Sequence, residues 1–178
     1  MITSSSFVTF AQKPSANSTD RLLESGQAAK VSTPATAPTE IKIVSYNIRW
    51  RSGKELEQII DWLKSKEAPP TLIGLQEVDR AKQRSGQTNN ARALAESLGM
   101  YYAWAAPPLP KNSRDNEEET GVELLSPYPL TDITRIVLPH EGPGGRWRVA
   151  WGPQLRSGRP PCGSIQCTAR RAYRLRKR

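Results

Sequence analysis

Histidine, cysteine and long apolar runs are scarce in this chain. It has one histidine, His140, and two cysteines, Cys162 and Cys167, among 178 residues. Two cysteines are too few for a disulfide framework or for a zinc site. No apolar run approaches the roughly 18 residues that cross a membrane as a helix. The sequence therefore predicts neither a disulfide scaffold nor a transmembrane segment.

Acidic residues are absent from the last part of the chain. Residues 151–178 contain eight Lys and Arg side chains and no Asp or Glu, whereas residues 1–150 hold 18 basic and 17 acidic side chains. The net charge of +9 thus comes mostly from this tail. Basic side chains and Tyr173 could contact phosphates and stack on bases. Composition therefore leaves open a nucleic-acid binder that uses the basic tail.

Residues 1–40 are rich in Ser, Thr, Ala and Pro. Such a segment buries too little apolar surface to offset the entropy lost on ordering. We therefore expect a disordered leader and flexible linker over these residues. The stretch ITSSSFVTFAQ at residues 2–12 resembles the end of a secretory signal that is cleaved near Ala11. This weak likeness in residues 1–11 leaves both a cytoplasmic and an exported location open.

Residues 41–150 carry the patterns of an ordered domain. IKIVSYNIRW predicts a mostly buried strand, and RSGKELEQIIDWLKSKE predicts a helix with Ser52 and Glu55 at capping-box spacing. TLIGLQEV predicts a second strand, and a second helix is expected from Thr88 or Asn89 to Leu98, with Gly99 as its stop. Further strands are predicted in MYYAWAA, GVELLS, DITRIVLP and RWRVA. The first strand, helix and strand are typical of a βαβ unit in an α/β protein.

Polar residues follow the two predicted strands of this βαβ unit. Asn47 ends the first strand, and Gln76 and Glu77 end the second. In open α/β sheets, functional sites lie at the carboxyl ends of strands. A carboxylate there suits Mg²⁺ or Mn²⁺, because such hard cations keep several positions for water and phosphate. An amide such as Asn47 can donate to a phosphate oxygen without adding negative charge. Asn47 and Glu77 are therefore candidates for binding a phosphate and a cation at this edge of the sheet, with Gln76 as a supporting hydrogen-bonder.

Several other residues could contact a substrate, but an ordinary role is the stronger expectation for them. Asp79, Arg80 and Arg84 could reach a phosphate, although surface charges are usually only solvated. His140 lies in LPHEGPGG, which reads as a turn, and we expect a loop residue there. The tryptophans are expected to be packing groups.

Three blocks of the sequence resemble a known family. SYNIRW, followed some 30 residues later by IGLQEVD, resembles the opening of the endonuclease/exonuclease/phosphatase family, whose fold is that of pancreatic deoxyribonuclease. GVELLSPYPL resembles the next block of that family, so the likeness covers about residues 41 to 150. It implies the N-terminal half of a four-layer α/β/β/α sandwich. It also implies that Glu77 binds a metal and that Asn47 lies beside the scissile phosphate. The implied function is metal-dependent hydrolysis of a phosphodiester or phosphomonoester.

The chain also departs from that family. The later histidine, Asp-x-Asn and Ser-Asp-His blocks of the family are not found, and Glu123 stands where a small or apolar residue is expected. We therefore expect a truncated domain that hydrolyses little or nothing. Nucleic acid, inositol phosphate and a lipid head group all stay open as substrate, and so does the oligomeric state. An alternative of another class is a non-catalytic interaction module.

The abrupt change of composition in residues 151–178, which lack acidic residues and hold both cysteines and many arginines, predicts a frameshift near Ala150. Read one frame away, the codons of this tail can encode YSVHGETR, which resembles the histidine block of the family. Its histidine position is constrained, because a codon for Cys167 followed by one for Thr168 permits only His or Tyr there. We expect DNA sequencing across codon 150 to reveal the shift. An intact reading frame, together with a tail peptide found by mass spectrometry, would contradict it.

Overall fold

The structure, a computed structural model, describes residues 21–35, 40–65, 71–108, 119–139 and 148–155. These residues form, in chain order, β1 (Leu23–Gln27), β2 (Lys42–Asn47), α1 (Gly53–Lys64), β3 (Thr71–Arg80), α2 (Asn90–Leu98), β4 (Tyr101–Ala105), β5 (Glu119–Ser126), β6 (Leu130–Val137) and β7 (Val149–Leu155). The described part is therefore mixed α/β, with sheets dominating. His140, both cysteines and most of the basic tail lie outside the described residues.

The strands form two sheets. The larger one has the order β1-β4-β5-β3-β2, and β6 and β7 form a separate antiparallel pair. Only β2 and β3 are parallel among the described strand pairs, in a register that sets Asn47 beside Gln76. A parallel pair needs a crossover connection, which α1 supplies. Both strands consequently end at the same edge of the sheet.

Each helix buries one apolar face. In α1 the buried residues recur at helical spacing, namely Leu56, Ile59, Ile60 and Leu63. In α2, Asn89 is the N-cap that accepts from the Arg92 N–H, and Gly99 ends the helix at φ 64. The predicted bounds of α2 are thus confirmed. The predicted capping box of α1 does not form, since within the described chain the Ser52 side chain makes no capping hydrogen bond, and Glu55 pairs with Arg51 instead.

The two faces of the five-stranded sheet are covered differently. One face packs against α1 and α2 around a core that includes Trp104, Leu75 and Leu94, all of them fully or almost fully buried. The opposite face meets the β6–β7 pair, where Ala105 and Leu124 contact Val149 and Trp151. The described residues therefore make three layers: helices, the large sheet and the small sheet.

The expectation of a flexible linker is wrong for residues 23–27. They form β1, which pairs with β4 from Leu23↔Ala105 to Gln27↔Tyr101. Glu24 also accepts hydrogen bonds from Arg80 at 3.1 Å, Asn89 at 3.0 Å and Tyr102 at 2.6 Å. Backbone pairing and one polar side chain hold this strand. Its sequence, LESGQ, accordingly lacks the apolar alternation that marks a strand.

The expectation that the first predicted strand is mostly buried is also wrong. Ile43 in β2 is 64% exposed and Tyr46 is 41% exposed. The strand lies at the end of the described sheet, so only Val44 and the following Ile48 reach the core under the helices. An edge strand can carry the same apolar residues as a central one, because composition does not reveal the number of neighbours.

The predicted boundary after Ala150 lies inside a strand. β7 runs from Val149 to Leu155 and pairs with β6 along its length. Trp151 is 3% exposed and packs in the core between the two sheets. The ordered domain therefore continues past residue 150.

Gly121 offers a test of how tightly the large sheet is packed. A Cβ added at Gly121 would lie 2.4 Å from the Ala105 carbonyl oxygen and 2.7 Å from Trp104 Cε2. The Trp104 indole cannot retreat easily, because its N–H donates to the Val78 carbonyl at 3.1 Å. We expect Gly121→Ala to lower the free energy of unfolding by roughly 1–3 kcal/mol, as overpacking does, measured by urea denaturation.

The matched control is Gly74→Ala in β3 of the same sheet. A Cβ there meets only the Val44 carbonyl oxygen, at 3.8 Å, which is an ordinary contact. We expect the urea midpoint of this variant to stay close to that of the wild type. Equal midpoints for the two variants would contradict the packing described for Gly121.

Candidate functional site

The side chains of Asn47 and Glu77 are in contact. Asn47 Nδ2 donates to Glu77 Oε1 at 3.0 Å, and the Arg49 N–H donates to Asn47 Oδ1 at 2.9 Å. Both side chains are half-buried. The amide is therefore oriented from two sides. The two residues that the sequence singled out meet where β2 ends, but β3 continues to Arg80, so the prediction that Glu77 ends its strand is wrong.

A β-bulge directs Glu77 toward Asn47. The pairing of β3 with β5 shifts between Gln76 and Val78, which leaves Glu77 as the extra residue, with φ 59. In an unbroken strand, Glu77 would alternate onto the same face as Leu75 and enter the apolar core. The bulge removes it from that alternation. A left-handed backbone at a non-glycine residue is strained, and such strain is common at functional sites.

The chain after β2 is fixed beside Glu77 by backbone hydrogen bonds. The Ile48 N–H donates to the Gln76 carbonyl at 3.0 Å, and the Trp50 N–H donates to the Glu77 carbonyl at 2.9 Å. Arg49 and Trp50 both have positive φ, 50 and 52. This turn leaves Trp50 47% exposed beside the site. Trp50 is therefore not the packing group that the sequence predicted.

Arg84 is held next to this pair. It donates from Nε and Nη2 to the carboxylate of Asp79, at 2.7 and 2.8 Å, and from Nη2 to the Thr120 hydroxyl at 3.0 Å. Its guanidinium carbon lies 4.5 Å from the centre of the Trp50 ring. Its hydrogen bond to Asp79 and then the negative charges of Asp79 and Glu77 raise the pKa of Arg84. A fixed positive charge therefore stands beside Glu77.

The expectation that Asp79 and Arg80 are only solvated is wrong. Asp79 is fully buried and holds Arg84. Arg80 is 16% exposed, and it pairs with Glu24 and with Glu119 at 3.1 and 2.5 Å. The Arg80 guanidinium also lies 4.1 Å from the centre of the Trp104 ring. Arg80 therefore joins β1, β3 and β5 and belongs to the scaffold.

Two amides support the site from nearby elements. Gln76 Nε2 donates to Ser45 Oγ and to the Gly74 carbonyl, both at 3.2 Å, and so links β2 with β3. Asn90 is 1% exposed and donates to the Arg51 carbonyl at 3.1 Å, which ties the turn after β2 to the start of α2. The sequence suggested a supporting role for Gln76. It gave Asn90 no role, because an asparagine at a helix start is usually a cap.

The donor set around Glu77 is small. Among the described residues there is no group of three or more His, Cys, Asp or Glu side chains that could hold a metal ion. Glu77 offers a carboxylate, whereas the Asn47 oxygen already accepts from Arg49. This set fits Mg²⁺ or Mn²⁺ held by a single carboxylate, because such ions retain several waters and bind substrate phosphates. It does not fit zinc, which takes three or four protein ligands.

A groove of about 380 Å³ lies elsewhere, lined by Tyr46, Ile59 and Trp62 together with Arg51, Glu55 and Gln58. It is formed by β2 and α1, and neither Asn47 nor Glu77 lines it. The groove therefore adds no ligand group to the site.

Neither helix of the described residues has the length and apolar character of a membrane span.

No protein-family model, curated protein or solved structure matches the chain.

Glu123 is a buried carboxyl group outside the site. It lies in β5 between Leu75 and Trp104 of the neighbouring strands, on the face that carries the helices. It is fully buried, and neither of its oxygens has a hydrogen-bond partner among the described residues. Burial and, to a lesser extent, the charge of Glu24 raise the pKa of Glu123 well above its ordinary value. The family resemblance predicts a small or apolar residue at this position, and the residues around Glu123 are apolar.

This carboxyl group predicts a pH dependence of stability. The pKa of Glu123 is higher in the folded than in the unfolded chain, so the folded state binds the proton more tightly. The stabilisation is complete below the ordinary carboxyl pKa of 4.5 and is lost as pH rises through the raised value. We expect Glu123→Gln to abolish this loss, measured by urea denaturation over a range of pH. The exposed Glu57→Gln in α1 should keep the wild-type profile, and a wild-type slope in Glu123→Gln would contradict the prediction.

Proposed function

We propose that the described domain is the N-terminal half of a metal-dependent phosphoesterase. In this proposal Glu77 binds Mg²⁺ or Mn²⁺, and Asn47 binds an oxygen of a phosphate ester. The observation that carries it is the 3.0 Å contact between these two side chains, where β2 ends beside the bulge of the parallel strand β3. The finer fold belongs to the same proposal: the β6–β7 pair would be the beginning of the second sheet of a four-layer sandwich.

The residues of the chain divide the work by their chemistry. The cation would supply Lewis-acid stabilisation of the negative charge on the phosphoryl oxygens. Glu77 holds that cation with an anionic oxygen, and the bulge keeps this oxygen out of the apolar core. Asn47 contributes an N–H donor without negative charge, so it does not repel a phosphate. The Arg49 N–H fixes the orientation of the Asn47 amide, and the backbone bonds of Ile48 and Trp50 hold the turn.

Hydrolysis also needs a group that takes a proton from the attacking water. The described residues contain no histidine, and the nearby carboxylate of Asp79 is buried against Arg84. We therefore propose that this domain binds the cation and the phosphate but turns over little or nothing by itself.

The exposed edge of β2 favours a second candidate, a non-catalytic interaction module. Ile41 and Ile43 are 38% and 64% exposed at this edge, and an unpaired strand edge can accept a strand from a partner. Such a module needs no metal. Glu77→Ala discriminates between the two, because a module keeps its partner after this change, whereas a metal site is lost.

The metal proposal predicts where Mn²⁺ binds. In a Mn²⁺ titration followed by NMR, we expect the Asn47 side-chain amide and the Trp50 backbone amide to broaden first, since both lie next to Glu77. Glu77→Gln removes the anionic ligand while keeping the shape of the side chain. It should weaken Mn²⁺ binding at least tenfold, or about 1.4 kcal/mol.

The control for that titration is Glu57→Gln, which removes one exposed carboxylate from α1. It should leave Mn²⁺ broadening at Asn47 and Trp50 unchanged. If Glu77→Gln retained the wild-type pattern of broadening, the proposed metal site would be wrong.

The same variants test turnover. With a chromogenic phosphodiester and Mg²⁺, we expect no hydrolysis above background by the wild-type chain. Mg²⁺-dependent hydrolysis that disappears in Glu77→Gln would contradict the proposed inactivity while supporting the metal site. Hydrolysis of equal rate in both proteins, retained after further purification, would contradict both the inactivity and the role of Glu77.

A further inference from the structure

Arg84 makes more contacts than a typical surface arginine. Two of its nitrogens bond to the fully buried Asp79, a hydroxyl from β5 adds a third contact, and the Trp50 ring covers one face of the guanidinium. Yet the Arg84 side chain is still 44% exposed. None of its bonds to the described residues uses Nη1. The guanidinium is thus fixed along one edge and open along the other.

The position of Arg84 changes the charge of the whole site. Glu77 and Asp79 bring two negative charges, which one divalent cation would only neutralise. Because Arg84 already neutralises Asp79, a cation on Glu77 would leave the site with a net positive charge. A positive site attracts a phosphate anion, whereas a neutral one attracts it weakly.

The aromatic contact adds to this arrangement. The backbone N–H of Trp50 donates to the Glu77 carbonyl at 2.9 Å, and the indole ring of the same residue stacks on Arg84. Trp50 thus links Arg84 to the backbone of the proposed metal-binding residue. A guanidinium stacked on an indole loses little freedom when it binds, because its plane is already set. Arg84, Trp50 and Glu77 therefore form one connected unit.

We propose that Arg84 is a phosphate-binding residue of this site, in which its open edge donates to an oxygen of the phosphate group that Asn47 also contacts. Asp79 and Thr120 are its positioning residues, and Trp50 supports it by stacking. The inference rests on the proposed function for the identity of the ligand, a phosphate ester. The chemistry is that of charge-assisted hydrogen bonds from a planar guanidinium to phosphate.

The experiment uses the full chain with Mg²⁺, because a cation on Glu77 makes the proposed site positive, and inorganic phosphate and adenosine monophosphate serve as separate probes. In the wild type, we expect both probes to shift the NMR signals of the Arg84 Nε–H and the Trp50 indole N–H. Arg84→Lys keeps the positive charge but loses the planar set of N–H donors of the guanidinium. It should weaken binding of both probes roughly tenfold, or about 1.4 kcal/mol. Arg92→Lys, the same change in α2 at an arginine that bonds to Tyr102, should bind both probes like the wild type.

Several results would overturn the inference. Unchanged binding of both probes in Arg84→Lys would remove its role, and a loss for adenosine monophosphate alone would mean that Arg84 reads the base and not the phosphate. Should Arg84→Lys unfold, the wild-type titration decides: no shift at the Arg84 Nε–H with either probe would also overturn it.

The inference can fail separately from the proposed function. Glu77→Gln removes a negative charge beside Arg84, so in chelator it should bind phosphate more tightly than the wild type, although it no longer binds Mn²⁺. If Mn²⁺ broadened no signals near Glu77 in the wild type while phosphate still shifted the Arg84 Nε–H signal, only the metal would be rejected. Normal Mn²⁺ broadening without phosphate shifts would reject only Arg84.

Discussion

The parallel pairing of β2 with β3 is the constraint on which the candidate site depends. It sets Asn47 beside Gln76, and two further backbone hydrogen bonds carry the chain on past Glu77. Because α1 provides the return connection, residues 30 positions apart in the chain meet at one edge of the sheet. Without this pairing, the Asn47 amide would not meet the Glu77 carboxylate.

Irregular backbone next to that pairing makes the edge usable. The bulge at Glu77 and the positive φ of Arg49 and Trp50 all lie within this small region. Regular strands would send these side chains alternately into the core and away from it. The departures from regularity instead gather an amide, a carboxylate and an aromatic ring on one rim. The rest of the sheet stays regular enough to support the strain.

Buried charges hold the elements around the rim. Arg80 joins β1, β3 and β5 through Glu24 and Glu119, and Asp79 holds Arg84. Buried ion pairs add little net stability over apolar packing, but removal of one partner is costly. Their evident effect here is geometric, since each pair fixes one side of β3. Glu123 shows the opposite case, a buried carboxyl group whose isolation favours the protonated form.

The sequence by itself determined most of the local elements and the pair of polar residues that meet where β2 ends. Apolar spacing and the signals at Asn89 and Gly99 gave α2, and the polar residues that follow the apolar runs of β2 and β3 indicated that Asn47 and Glu77 would converge. Such features depend on residues close in the chain, where steric and hydrogen-bond preferences act directly. Only the tertiary structure decided that β1 is a strand and that β2 lies at an edge. It also decided that Asp79 pairs with Arg84, whereas Arg80 pairs with Glu24 and Glu119. Each of these depends on partners distant in the chain, and a charged residue looks the same in a sequence whether it meets water, a buried carboxylate or an aromatic ring.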